Sequence, residues 1–154
     1  MSIVTKISLE EYNVMVESGA FDGKLRRRIE LIHGELREMS PIGARHEETV
    51  DRFAKWSFNT HDLNNVRIRV QSSIGLPELE SVPESDVAWV VERNYSERRP
   101  AAEDVYLIVE VSASSLRYDR GEKADLYAAV LEPCGFAGDI FQRLIRNEST
   151  DVAQ

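Results

Sequence analysis

The chain has little of what would fix several common protein designs. Cys134 is its only cysteine, which excludes an internal disulfide framework, and no cysteines and histidines stand at zinc-ligand spacing. No apolar run approaches the ~20 residues of a membrane span, and the N-terminus lacks the basic segment and apolar stretch of a signal sequence. A cytoplasmic protein without a membrane partner is the expectation. Positive charge is also scarce: 19 Lys and Arg against 27 Asp and Glu leave a net charge of −8. Nucleic acid is therefore not attracted by overall charge, and any such contact must come from a local basic patch or a metal bridge. There is no internal repeat and no low-complexity segment.

What is present suits one globular domain, since 154 residues can bury a core and are too few for two ordinary domains. The organising stretch is Val105 to Tyr127, VYLIVEVSASSLRYDRGEKADLY. Its first seven residues are apolar except Glu110, as in a strand covered on both faces. Alternation puts Val105, Leu107, Val109 and Val111 on one face and Tyr106, Ile108 and Glu110 on the other. A carboxylate placed there needs an ion pair, hydrogen bonds or a metal. After a serine-rich turn, Asp119 with Glu122 three residues on signals a helix start. Lys123 lies three residues before Leu126 and four before Tyr127, at the edge of that helix's apolar face.

Upstream, Ser8 and Glu11 form a capping box for a helix running to about Ser18, where Gly19 stops it. Lys24, Arg26, Arg27 and Arg28 make a small basic cluster. Ile29–Ile32, His33-Gly34 and Glu35–Met39 read as a β-hairpin in which Gly34 supplies the positive φ of a tight turn. From Arg45 to about Phe58, Val50, Phe53, Ala54 and Ser57 form a helical stripe that His46 shares. Val66, Ile68 and Val70 alternate with Arg67, Arg69 and Gln71, a strand with one wet face. Asp86 then stands at the entry of a short buried strand, Val87–Val91. A last helix begins near Gly138. The order of helix, hairpin, helix, three strands and helix predicts a mixed α/β sheet.

If the strands after Asp86 and before Glu110 are neighbours, the two carboxylates meet, and side by side they raise each other's pKa unless a cation lies between them. Hard oxygen donors of this kind suit Mg²⁺. With Lys123 nearby the set could hydrolyse a phosphodiester. A structural ion pair between Glu110 and Lys123 accounts for the same residues, so the residues alone leave both readings open. A serine hydrolase built on Ser114 or Ser115 with His46 lacks the glycine pattern of a nucleophile elbow.

The segments IELIHGEL, SPIGARHEETVDRF, ESDVAWV and above all LIVEVSASSLRYDRGEKADLY resemble the "putative restriction endonuclease" family of bacteria, a branch of the PD-(D/E)XK nuclease superfamily. In that family the lysine has moved from the strand to the following helix; here Ser112 holds the strand position and Lys123 the helical one. The resemblance implies a restriction-endonuclease-like α/β fold, a mixed central sheet flanked by helices, over residues 1–132, with 133–154 an atypical tail. It implies Asp86 and Glu110 as ligands of Mg²⁺, with Mn²⁺ as a substitute, Lys123 as catalytic lysine, and Glu30 as a further acid of the site. Glu30 reads equally as a solvent-facing strand residue. His46 matches a family histidine, which packing and hydrogen bonding also explain, and Gln71 and Tyr127 fall near the site.

The implied activity is metal-dependent endonucleolytic cleavage of DNA, with Arg67, Arg69 and the cluster ending at Arg28 meeting phosphates. The alternative is an inactive nuclease-fold protein that binds nucleic acid or a protein partner, a second copy in a homodimer included. The chain departs from the family at Ser85, where proline is usual, and at His33, where aspartate is. After Val130 it also departs, so the end reads as truncated or frame-shifted.

Overall fold

A computed structural model describes residues 5–23, 28–111 and 119–131, with side chains from 122 to 130 in the last segment. The expectations for Lys24, Arg26 and Arg27, for the serine-rich turn with Ser112, Ser114 and Ser115, and for the tail from 133 with Cys134 lie outside the described residues.

Helix α1 (Leu9–Glu17) opens on the predicted capping box: Ser8 Oγ accepts the Glu11 N–H at 3.1 Å, and the Glu11 carboxylate accepts the Ser8 N–H at 2.7 Å. Its Tyr12 is buried with Leu31 and Val82, and its hydroxyl donates to the Ile29 carbonyl at 2.7 Å. That bond ties α1 to the hairpin of β1 (Ile29–Ile32) and β2 (Glu35–Glu38). The hairpin turn takes a positive φ at both His33 (50°) and Gly34 (79°), as a two-residue type I′ turn requires. A Cβ at Gly34 would lie 3.0 Å from Lys6 Cβ and 3.1 Å from the Ile7 carbonyl oxygen, so this position is closed to side chains by space as well as by φ.

The second sheet has the order β3-β4-β5, from β3 (Val66–Ser73), β4 (Glu84–Val91) and β5 (Val105–Val109). Every described ladder is antiparallel, and with the helices the architecture is mixed α/β, as predicted. Helix α2 (Ala44–Thr60) covers one face, where Val50 and Ala54 pack with Ile68 and Val87. Helix α3 (Asp119–Leu131) covers the other, bringing Leu126 and Tyr127 against Ala88, Val90, Val105 and Ile108. No helix of the described residues is long and apolar enough to cross a membrane.

The alternation read for β5 is corrected at its start. Trp89 pairs with Leu107, but Val90 pairs with Val105, so Tyr106 is an extra residue in a β-bulge. The bulge turns Val105 onto the side of Ile108 and leaves Tyr106 54% exposed. The strand also ends at Val109, before Glu110 and Val111.

Asp104, 1% exposed, anchors the loop that leads into β5. One carboxylate oxygen accepts from Arg98 Nη1 at 2.7 Å and the Ala101 N–H at 3.0 Å, while the other meets Arg93 Nη1 at 3.2 Å. Burial pushes its pKa up, but these hydrogen bonds and the two arginine charges outweigh burial and hold it below the ordinary 3.8. A carboxyl depressed on folding stabilises the protein above its unfolded pKa and loses that contribution as pH falls through the folded value. Thermal melts should therefore show stability falling below about pH 4. Asp104→Asn should cost about 1–3 kcal/mol at neutral pH and make the acid limb shallower; an unchanged acid limb would refute this account.

Candidate active site

The site forms where β4 and β5 meet the hairpin and α3. The ladder pairs Val87 with Val109 and Ala88 with Ile108. Continued one step, that register sets Glu110 opposite Asp86, because antiparallel neighbours run in opposite directions at one residue per step. Asp86 is 8% exposed and is the third residue of β4 rather than its entry. Its Oδ1 lies 2.9 Å from His46 Nε2, and its Oδ2 accepts the Val111 N–H at 2.7 Å. On the other side, Val70 pairs with Val87 and Ser72 with Ser85, and Gln71 between them adopts a left-handed φ of 44°. A non-glycine residue so placed carries local strain of about 1 kcal/mol or more, a feature that collects at functional sites.

Helix α3 adds the cation. Lys123, Leu126, Tyr127 and Val130 fall at helical spacing; Leu126 and Tyr127 enter the core, and Lys123 lies at its edge. Lys123 Nζ donates to the Glu84 carbonyl at 2.9 Å, pairs with Glu30 Oε2 at 2.9 Å and stands 3.7 Å from Glu110 Oε1. Glu30, 8% exposed, also accepts the Glu84 N–H at 3.1 Å, so it faces the site and not solvent. The Tyr127 hydroxyl donates to Glu110 Oε1 at 2.9 Å. Arg28 pairs with the Glu84 side chain, tying the start of β4 to the hairpin.

Three carboxylates, Asp86, Glu110 and Glu30, therefore share one lysine. Burial, then the charges of Asp86 and Glu30, push the Glu110 carboxyl up to about 7 against the opposing pull of Lys123 and Tyr127. Burial alone would lower the Lys123 pKa, but Glu110, Glu30 and Asp86 more than reverse it, so the ammonium stays charged. Burial and the same carboxylates raise the Tyr127 hydroxyl well above its ordinary value, which keeps it a donor.

The excess negative charge and hard oxygen donors fit a divalent cation. Among the described residues no three His, Cys, Asp or Glu side chains converge to cage an ion. Mg²⁺ bound through one or two carboxylates, with water completing its shell, needs no such cage.

The family model of Uma2, described as "Putative restriction endonuclease", matches residues 10–132. The chain belongs to the Uma2 family. No curated protein matches it. Family membership agrees with the mixed α/β architecture, whose fold is restriction-endonuclease-like, and its description points to a nuclease.

The structure brings together Asp86, Glu110, Lys123 and Glu30, with His46 and Tyr127 bonded to two of them. Arg67 and Arg69 stand apart, at the levels of Val90 and Ala88 along β3. Sequence reasoning missed Glu84, which contributes main-chain N–H and C=O groups; no side-chain pattern signals such a role. Lys123→Met should cost about 3 kcal/mol, because it leaves buried carboxylates without their cation. Glu30→Gln in the same chain should restore part of the loss. Chemical denaturation of the two single variants and the double variant measures that coupling, and strict additivity would show that the pair does not interact.

Proposed function

We propose that the chain is a Mg²⁺-dependent endonuclease, with Mn²⁺ as a substitute ion, that hydrolyses DNA phosphodiester bonds in the cytoplasm. One observation carries the reading: α3 delivers a charged lysine to three carboxylates, Asp86, Glu110 and Glu30, that outnumber it. Asp86 and Glu110 are the residues that would hold the ion, which when bound lowers the pKa of a coordinated water and neutralises phosphate charge.

The chain's own residues prepare that site. His46 and the Val111 N–H fix the Asp86 carboxylate in one orientation, and Tyr127 fixes Oε1 of Glu110. Glu30 and the Glu84 carbonyl hold the Lys123 ammonium in place. A lysine with a raised pKa does not act as a base; it orients the attacking water and offsets the charge that develops on the phosphate. Glu30 acts through that lysine, as a positioning residue.

Plasmid nicking by purified protein tests the reading. Nicking should require Mg²⁺ or Mn²⁺, stop with chelator and vanish in Glu110→Ala, while Lys123→Gln should lose about 10²–10³-fold in rate, the usual effect of removing one charge-stabilising donor. Folded wild type as inactive as Glu110→Ala would overturn the enzyme reading in favour of an inactive nuclease-fold protein that binds nucleic acid, a protein partner or a second copy.

A further inference from the structure

An arginine group outside the catalytic cluster has an unbalanced charge. Tyr95 packs against the core beneath α3, and three guanidinium groups surround its ring: Arg69 at 5.6 Å, Arg98 at 5.8 Å and Arg67 at 5.9 Å from the centroid. Each distance suits a cation–π contact, yet three cations about one ring repel one another unless anions intervene. Two of them have anions. Arg67 makes a two-pronged pair with Glu92, and Arg98 pairs with Asp104. Arg69 has none: its Nε is enclosed without a hydrogen-bond partner, and no hydrogen bond or ion pair reaches its guanidinium among the described residues. Burial and the neighbouring Arg67 lower the Arg69 pKa, the mark of a cation lacking a counter-charge.

The surroundings do not cancel the excess. Arg99, next along this face, bonds Ser73 and Asn13, both neutral, and Arg93 shares Asp104. With Glu97 and Glu103, the loop's remaining acids, β3 and this loop together carry five arginines and four carboxylates. The surplus falls on Arg69 and Arg99, in a protein whose net charge is −8.

Position links this group to the catalytic centre. Arg67 and Arg69 point away from the α2 face that Ile68 and Val70 occupy, hence toward the face where Glu110 and Tyr127 lie. Arg99 Nε donates to Ser73 Oγ at 3.0 Å, and Ser73 pairs with Glu84, whose carbonyl holds Lys123. The arginines thus line β3 toward the catalytic lysine.

We infer that Arg69, stacked on Tyr95 and flanked by the neutralised Arg67 and Arg98, is the seat of a non-scissile phosphodiester of the DNA strand that enters the Asp86–Glu110 site. The inference rests on the nuclease reading above and adds to it where the strand lies. A phosphate oxygen offers the guanidinium the counter-charge that the protein withholds; because Nε is enclosed, the contact falls to the two Nη groups, whose planar fork matches phosphate geometry. Since the contact is to the backbone, it carries no base preference.

Fluorescence anisotropy of a labelled DNA duplex, with chelator present to prevent cleavage and over a series of salt concentrations, tests it. Arg69→Gln should weaken binding several-fold for every duplex alike and reduce the slope of log affinity against log salt by about 0.9, the value of one phosphate contact. Arg69→Lys should keep the slope. Arg69→Met retains the aliphatic stem over Tyr95, and if Arg69→Gln fails to melt cooperatively the same criterion applies to it. DNA bound with unchanged slope and affinity would overturn the phosphate seat while leaving the nuclease reading intact. Wild type that nicks plasmid without measurable binding overturns the seat alone, and wild type that neither binds nor nicks overturns both.

Discussion

The ammonium of Lys123 is the contact on which the site depends. It joins three separately formed pieces: Glu30 of the hairpin, the Glu84 carbonyl at the start of β4, and Glu110 beyond β5. Carboxylates packed this closely in a core are costly, and one nearby cation is what makes their coexistence tolerable. The balance is incomplete, since three carboxylates meet one ammonium; burial, with the charges of Asp86 and Glu30, keeps the Glu110 carboxyl raised despite Lys123. A folded protein that keeps such an imbalance has given up stability at one place, as proteins do at functional sites.

The two faces of the β3-β4-β5 sheet divide the work. Under α2 the packing is almost wholly apolar, with Val50, Ala54, Ile68 and Val87 at its centre. Under α3 the apolar cluster grades at one end into Glu110, Tyr127 and Lys123 and at another into Tyr95 and its arginines. Acid and base are therefore sorted along one surface of a protein that is acidic overall. Among the described residues, His46 links α2 across to the carboxylates, reaching Asp86 from the first turn of its helix.

Much of this is legible in the sequence. The Ser8 capping box, the hairpin about Gly34, the α2 stripe and the order of elements follow from local rules, and the structure repeats them. Glu110 was marked by being a lone carboxylate in an apolar run, and Lys123 by its spacing from Leu126 and Tyr127. Glu30 was ambiguous, because in a strand of four residues one charged side chain fits either a wet face or a site; only the approach of Glu84 and α3 decides it. The left-handed φ of Gln71 was illegible, since glutamine does not announce positive φ. Nor could Arg67 and Arg69 be told apart by alternation: the difference lies in Glu92, 25 residues from Arg67 in sequence and beside it in space.

The bulge at Tyr106 bears on how this strand can change over evolution. Since side chains alternate, the face on which Glu110 emerges is fixed by counting back to Leu107, the first residue in uninterrupted register with β4. Tyr106, already a surplus residue and already outside the core, absorbs the phase difference between that register and the loop held by Asp104. Gain or loss of a residue before Leu107 can be taken up there without turning the acid over. The same change between Leu107 and Glu110 would present Glu110 to the α2 side, away from Lys123. The strand is thus indexed from its Glu110 end, and its beginning is the part left free to vary.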